Sequence, residues 1–133
     1  MSFEVIQPEG MAPPSGFSYA IAATGRNMLF IAGQTAQDSS GKIVGSHDIV
    51  RQFECALNNV LKVLRAGRGE PDHIAKITIF VTDVAAYREN LRPIGSIYRK
   101  HFGKHYPAMT LVEVQKLFDR EAMIEIEAIA VVP

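Results

Sequence analysis

The most regular pattern of apolar and polar positions lies near the end of the chain, at residues 123–131. Its even-numbered positions are all apolar, whereas two carboxylates, Glu125 and Glu127, stand on the opposite side. Alternation with a period of two predicts a β-strand. The carboxylate side is either a solvated sheet face or a face that is half covered by a helix or another subunit. The second alternative arises because apolar Ile129 and Val131 continue the same side of the strand. A carboxylate at such a boundary can have a raised pKa and handle protons.

Four earlier segments also have strand character: residues 17–22, 28–32, 74–83 and 106–114. The first two flank turn residues at 24–27, so the pattern predicts an antiparallel hairpin. Gly33 comes directly after the second segment. A glycine in that place predicts a bulge or a close approach of another group to the backbone.

Two helices are predicted between these strands. Residues 48–66 carry an apolar stripe at helical spacing: Ile49, Phe53, Ala56, Leu57, Val60, Val63 and Leu64. Asp48 can cap the start of this helix and Gly67 its end. A second helical segment follows the third strand and reaches Phe102, and Pro93 either opens the helix proper or kinks it.

The order of elements is strand, strand, helix, strand, helix, strand, strand, which is typical of the α+β class. We expect a single domain over residues 1–133, with one mixed, mostly antiparallel sheet and two helices on one of its faces. The helices can cover only that face, so the other face would leave Met123, Ile129 and Val131 in water. A closed homo-oligomer would bury them.

Composition and charge narrow the possible partners. The chain is 47% hydrophobic and 21% charged, and fourteen basic residues balance fourteen acidic ones. This balance provides no basic surface for nucleic acid and no polybasic arm for a membrane, so neither partner is predicted. The N-terminus lacks the basic and apolar regions of a signal peptide, and no apolar run has membrane-spanning length. A cytoplasmic protein is therefore predicted.

Individual reactive residues give little further information. The single cysteine, Cys55, lies in an apolar helical pattern, so we interpret it as a core or near-core thiol, with a reactive nucleophile as the alternative. The four histidines lack the spacing of metal ligands: they are His47, His73, His101 and His105. The sequence also lacks a phosphate-binding glycine loop and a serine nucleophile motif. No metal and no cofactor are predicted.

Several of these segments together resemble the Rid/YjgF family of reactive intermediate (enamine/imine) deaminases, which also carry the older names endoribonuclease L-PSP and translation inhibitor. The similar segments are Tyr19, Met28–Gln34, Lys76–Asp83, Pro107–Ala108 with Val112–Val114, and Ile124–Ala130. They extend over roughly residues 15–132. The resemblance implies a chorismate-mutase-like fold and a homotrimer that binds a small molecule in clefts between its subunits.

The resemblance also implies which residues form the site. In active family members, an Arg after the Pro-Ala pair holds the substrate carboxylate, and a Glu of the final strand positions the water that attacks the imine. Here the implied catalytic residue is Glu125, and the implied substrate-binding residues are Phe17, Tyr19, Gly33, Met109, Thr110 and Leu111.

Met109 is the main departure from the family, because it stands at the position of the substrate-binding Arg. A thioether carries no charge and no hydrogen-bond donor. Leu111 replaces a family Cys, and Gly95 falls on or near the position of a cleft-lining Asn. The residue with which family members usually bind the carboxylate of a 2-imino acid is therefore missing.

Three functions are compatible with the sequence. The first is a deaminase or hydrolase, with Glu125 positioning water, that acts on an imine or enamine without an α-carboxylate, or on a ring-cleavage product such as an aminomuconate. The second is a non-catalytic trimeric module for a small, mostly apolar ligand. The third, ribonuclease or translation inhibition, rests on older family names, and zero net charge ranks it last. A cation in the cleft would discriminate the first two, with Arg26, Arg51 and Arg120 as candidates.

Overall fold

The computed structural model describes residues 2–133, which form six β-strands in two sheets and three α-helices. The strands are β1 (Ser2–Ile6), β2 (Ala20–Thr24), β3 (Asn27–Gln34), β4 (Ile74–Val81), β5 (Ala108–Glu113) and β6 (Ile124–Val132). The helices are α1 (Ile49–Ala66), α2 (Val84–Glu89) and α3 (Leu91–Phe102), and a short 3-10 helix, Pro71–His73, precedes β4. The predicted α+β class is confirmed.

The main sheet has four strands in the order β3-β6-β4-β5. Strand β6 runs antiparallel to both of its neighbours, whereas β5 runs parallel to β4. The predicted apolar side of β6 is buried and belongs to the same hydrophobic core as α1: it consists of Ile124, Ile126, Ala128 and Ala130. The mixed sheet and its helix-covered face agree with the alternation in the sequence.

The predicted hairpin between residues 17–22 and 28–32 is wrong. Strand β2 pairs instead with β1, and these two strands form a separate sheet, while β3 pairs with β6. The Arg26 N–H donates to the Val132 carbonyl at 2.9 Å, which attaches the turn to the end of β6. After β2 the chain therefore turns so that β3 lies beside β6, and two sheets form in place of the single sheet expected.

The second helical segment is divided into α2 and α3, which meet at Asn90. Asp83 caps α2 by accepting a hydrogen bond from the Ala86 N–H at 3.1 Å. Pro93 is the third residue of α3, where its missing N–H breaks no hydrogen bond within the helix. It therefore lies in the opening turn of the helix, which was one of the two alternatives predicted. The described chain thus has three helices where two were expected. Within residues 2–133, no helix is both long and apolar enough to cross a membrane.

A fully buried glutamine of α1 fixes the position where β6 begins. The Gln52 side-chain amide donates to the carbonyls of Gly45 at 3.1 Å and Glu121 at 3.0 Å, and its oxygen accepts from the Met123 N–H at 2.7 Å. The buried amide is therefore satisfied on both its donor and acceptor sides. Because Met123 directly precedes β6, these bonds also set the position of Glu125.

Candidate functional site

Glu125 and Gly33 meet on the sheet face opposite the helices. Half-buried Glu125 lies level with Phe80 of β4, and the pairing of β3 with β6 shifts register between Ile31 and Gln34. A Cβ added to Gly33 would lie 2.8 Å from Glu125 Cδ, which is closer than real Cβ contacts come. Both the bulge and the close approach predicted at Gly33 are confirmed. The glycine leaves the space that the Glu125 carboxyl group fills.

The sheet face that carries Glu125 also carries exposed Glu127 on the same strand, and it becomes apolar further along β6 and β3. Phe30 pairs with Ile129 and Met28 with Val131, and the Phe30 and Met28 side chains are 73% and 57% exposed. We name the surface formed by these four residues the open face; Glu127 lies between it and Glu125 along β6. The side chains that it leaves in contact with water are Phe30 and Met28 rather than those predicted, because Val131 is buried and Ile129 and Met123 are half-buried.

A second cluster lies on the helix-covered side of the sheet, around a cavity of about 510 Å³. The residues that line the cavity are Ser15, Gly16, Phe17, Phe53, Ile79, Tyr87, Leu91, Ile94, Gly95, Tyr98, Arg99, Tyr106, Met109 and Leu111. They come from β4, β5, all three helices and the segment that precedes β2. Three of the predicted substrate-binding residues are among them: Phe17, Met109 and Leu111.

Hydrogen bonds and ring stacking fix the walls of the cavity. The Ser18 N–H donates to the Pro107 carbonyl at 3.0 Å, and the Ser18 hydroxyl donates to the Tyr106 carbonyl, which ties the segment around Phe17 to the start of β5. The Tyr98 hydroxyl donates to the His105 carbonyl at 2.8 Å, and its ring stacks on Tyr106 with centroids 5.3 Å apart. The wall between α3 and β5 is therefore rigid.

Within one chain, the predicted site residues fall on opposite faces of the sheet. Met109 lies level with Ile77 and Leu111 with Ile79, and these β4 residues are buried on the helix side. Paired residues share a face, so Met109 and Leu111 point to the helices, whereas Glu125 points to the open face. One subunit alone does not bring the predicted water-positioning residue to the predicted substrate-binding residues.

Two other predicted residues lie outside the cavity lining. The Tyr19 hydroxyl donates to the Ala12 carbonyl at 2.7 Å, and its ring packs edge-on against Phe17 with centroids 5.3 Å apart. Thr110 is exposed on the same sheet face as Glu125, where its hydroxyl accepts from Lys76 Nζ at 2.9 Å. Tyr19 therefore supports a cavity residue, and Thr110 belongs to the open-face side.

None of the three candidate arginines lines this cavity in the described structure. Arg51 and Arg120 each line a different surface pocket, and Arg26 lies in the turn between β2 and β3. The arginine that does line the cavity is Arg99 of α3. The sequence offered one signal for it: Arg99 stands one helical turn after Gly95, the position already noted as a departure from the family.

The hydroxyls of Tyr87 and Tyr98 remain protonated at neutral pH. Burial raises the pKa of Tyr87 to about 12, and burial, followed by the neighbouring Tyr106 and Tyr87, raises the pKa of Tyr98. Both groups are therefore neutral hydrogen-bond donors rather than phenolate anions. They contribute no negative charge to the cavity.

Cys55 lies away from this cavity, half-buried on α1 beside the Gln37 carbonyl, which is 3.8 Å from its sulfur. Burial is the main cause that raises the pKa of its thiol. A raised pKa disfavours the thiolate that a nucleophile requires. The location agrees with a near-core thiol, and the protonation state argues against the alternative of a reactive nucleophile.

Comparison with known proteins identifies the family. The family model described as endoribonuclease L-PSP matches residues 9–132. A RutC family protein of Pyrococcus horikoshii is 35% identical over 128 residues, which are 96% of each chain. The crystal structure of a Rid family protein of Yersinia pestis, described as of unknown function, has a TM-score of 0.88 and 34% identity, and covers 99% of this chain and 100% of that one. The structure of yeast Mmf1 has a TM-score of 0.68 and 30% identity, over 99% and 100% of the two chains.

The chain therefore belongs to the Rid/YjgF family, also described as the endoribonuclease L-PSP family. The family predicted from its sequence segments is confirmed, and the α+β fold matches that of the solved Rid structures. The names of the relatives differ, and include RutC, Rid and endoribonuclease. Membership thus defines the family and the fold, whereas the activity must be argued from the site.

Proposed function

We propose that the protein is a deaminase or hydrolase that acts on a small imine or enamine, with Glu125 positioning the attacking water. The observation that carries this proposal is the half-buried Glu125 carboxyl group seated over Gly33 and level with Phe80. A carboxylate held in one place and partly shielded from bulk water can orient a water molecule and accept its proton. Membership in the Rid/YjgF family supports the same role. The proposed reaction requires no cofactor.

The chemistry follows from the imine bond. Water adds to the imine carbon, a C–O bond forms, and the electron pair of the C=N bond moves to nitrogen, which takes up a proton. Glu125 accepts this proton from the water and passes it to the nitrogen, which gives a carbinolamine. Glu125 then takes the hydroxyl proton and delivers it to the amino group, so the C=O bond forms as the C–N bond breaks and ammonia leaves. An enamine is first protonated on carbon, which converts it to the imine.

We place the complete site between subunits of a homotrimer. Glu125 and the cavity lie on opposite sheet faces of one chain, so a substrate in the cavity of one subunit needs the Glu125 of a neighbour. Two features support this arrangement: β5, which borders the cavity, is an edge strand of the main sheet, and the open face on the same side of the sheet as Glu125 exposes Phe30 and Met28.

The second candidate function is a non-catalytic module that binds a small ligand. The observation that favours it is the lining of the cavity, where Met109 replaces the family Arg and most of the other residues are apolar or aromatic. Such a cavity binds apolar molecules without any need for a catalytic group. In this case Glu125 would serve only as a hydrogen-bond acceptor at the subunit interface.

Ammonia release tests the proposal directly. Small imines and enamines, with and without a carboxylate, are generated in place, and ammonia is measured with the full-length protein. We expect release above the uncatalysed rate, and a loss of about 100-fold or more in Glu125→Gln, because the amide cannot accept the proton of the water. Met109→Arg restores the family's own group, so we expect it to accelerate the reaction of carboxylate-bearing imines.

Glu127→Gln is the matched control, because Glu127 is an exposed carboxylate two residues further along the same face of β6. Its activity should equal that of the unmodified protein. Equal activity of Glu125→Gln would exclude the proposed role of Glu125. Absence of ammonia release from every imine, in the unmodified protein and in Met109→Arg alike, would favour the binding module.

A further inference from the structure

Arg99 is the only charged residue among those that line the cavity in the described part of the chain. Its side chain is exposed, which places the guanidinium at the mouth of the cavity rather than in its interior. Most of the other lining residues are apolar or aromatic, and none of them carries a second formal charge. One cation at the mouth of a mostly apolar cavity is the arrangement that binds a molecule with one anionic end.

Gly95 makes room for this guanidinium on the surface of α3. A Cβ added at Gly95 would lie 3.0 Å from Arg99 Nη1, so the guanidinium rests against the helix where an alanine methyl group would otherwise be. Glycine inside a helix costs about 1 kcal/mol relative to alanine. The glycine thus has a local function, since it lets Arg99 lie along the helix beside the cavity.

No acidic side chain of α3 competes for Arg99. The residues one turn before it are Gly95 and Ser96, those one turn after it are Phe102 and Gly103, and the whole helix contains neither Asp nor Glu. No acidic residue lines the cavity in the described structure either. The guanidinium therefore keeps its donors available for an anion that arrives from solution.

We propose that Arg99 binds the carboxylate of the ligand, and that the cavity selects acids in which a single carboxylate is joined to an aromatic or branched apolar body. This inference rests on the proposed function, because it names the substrate class of the same site. The replacement of the family Arg by Met109 on β5 led us to expect no binding of a carboxylate. The proposal revises this expectation, because Arg99 of α3 can bind the carboxylate instead.

The guanidinium suits this role better than an ammonium group would. Its planar donors match the two oxygens of a carboxylate in a bidentate contact, and it is more weakly hydrated than a lysine side chain. The apolar body of the ligand would lie deeper, among side chains such as Tyr87, Tyr98 and Leu111. A cavity of about 510 Å³ is larger than a two- or three-carbon chain needs.

Binding of unreactive analogues separates this inference from catalysis. The probes are 2-oxo acids, which resemble 2-imino acids but release no ammonia: pyruvate, 4-methyl-2-oxopentanoate and phenylpyruvate. The uncharged counterpart is phenylacetone, which lacks the carboxylate. Dissociation constants are measured by calorimetry with the unmodified protein and with Arg99→Gln, Arg99→Lys and Arg92→Gln. Arg92 lies seven residues earlier on the same side of α3 and outside the cavity lining, so its variant is the matched control.

We expect phenylpyruvate to bind more tightly than pyruvate, and Arg99→Gln to weaken its binding by about 10- to 100-fold. Arg99→Lys should recover part of the loss, and neither Arg92→Gln nor the uncharged ketone should show a comparable effect. Unchanged binding in Arg99→Gln, or failure of every 2-oxo acid to bind the unmodified protein at millimolar concentration, would overturn the inference. Because no reaction occurs with these probes, loss of ammonia release in Glu125→Gln leaves this result unaffected.

Discussion

At the scale of single residues, the contact between Gly33 and Glu125 makes each residue depend on the other. The Glu125 carboxyl group occupies the volume in which a side chain at position 33 would begin. The bulge in β3 brings the backbone to this place, and the buried Gln52 sets the start of β6. The position of the proposed catalytic group is therefore determined by a small residue on one strand and a buried amide on a helix.

Gly33→Ala should displace the Glu125 side chain. A Cβ at 2.8 Å from Cδ forces the carboxyl group to rotate away, so we expect the free energy of unfolding to fall by about 1–3 kcal/mol and ammonia release to be lost. Urea denaturation and the ammonia assay provide the two measurements. The double variant Gly33→Ala/Glu125→Ala has no carboxyl group to displace and should lose less stability than the two single changes added together. Strict additivity would show that the two residues do not interact.

The sequence identified Glu125 but not Arg99. The physical reason is that the pattern that indicates Glu125 is local in sequence, whereas the position of Arg99 depends on a tertiary contact. Glu125 follows from alternation along one strand, which is local and regular. Arg99 follows Tyr98 of the buried helix face, and an arginine beside a buried position is commonly an ordinary surface charge. Its orientation depends on the missing side chain at Gly95 and on the nearness of β5. The second condition is a tertiary contact that no local pattern contains.

At the scale of elements, helix α3 combines a structural cost at Gly95 with its proposed function in ligand binding. Its buried residues Ile94, Tyr98 and Phe102 hold it on the core, while Gly95 and Arg99 lie along the cavity. An alanine at position 95 would strengthen the helix, so the glycine is unfavourable for stability alone. Helix propensity and the proposed site therefore make opposite demands on position 95. An alanine there should raise stability and lower the affinity for the ligand.

Gly95→Ala should raise the free energy of unfolding by up to about 1 kcal/mol, through helix propensity. The new methyl group would push the flexible Arg99 guanidinium from its place at 3.0 Å, so phenylpyruvate binding should weaken several-fold. Urea denaturation and calorimetry measure the two effects. Ser96→Ala, an exposed change in the adjacent position, should stabilise the helix without altering binding. Unaltered affinity in Gly95→Ala would mean that the guanidinium position does not matter.

The pairing of strands shows where local sequence patterns stop being informative. The pattern located β2 and β3 to within a few residues, yet their partners are β1 and β6 rather than each other. Two apolar strands on either side of a turn fit a hairpin equally well, because alternation describes a strand and not its neighbour. The choice is made by contacts distant in sequence, such as the bond from Arg26 to Val132.

At the scale of the whole molecule, the division of the predicted site residues between two sheet faces supports the proposal that the open face is a subunit interface. The cavity with Arg99 is complete within one chain, whereas Glu125 points to the opposite side. Under the proposed function, ligand binding and catalysis therefore have different requirements: the first needs a folded subunit, and the second needs an assembled one. A change that separates the subunits should consequently remove ammonia release and preserve the binding of 2-oxo acids.

Phe30→Asp should separate the subunits. Phe30 is 73% exposed in the single chain, so an aspartate there leaves the core of the subunit unaltered but places a charge in the proposed interface. We expect light scattering to show about three times the chain mass of 14.6 kDa for the unmodified protein and one chain mass for this variant. Val63→Asp provides the control, because Val63 is also exposed, at 42%, but lies on α1 away from the open face. Assembly that survives in Phe30→Asp would exclude the open face as the interface, and ammonia release by a single chain would mean that Glu125 acts without a neighbour.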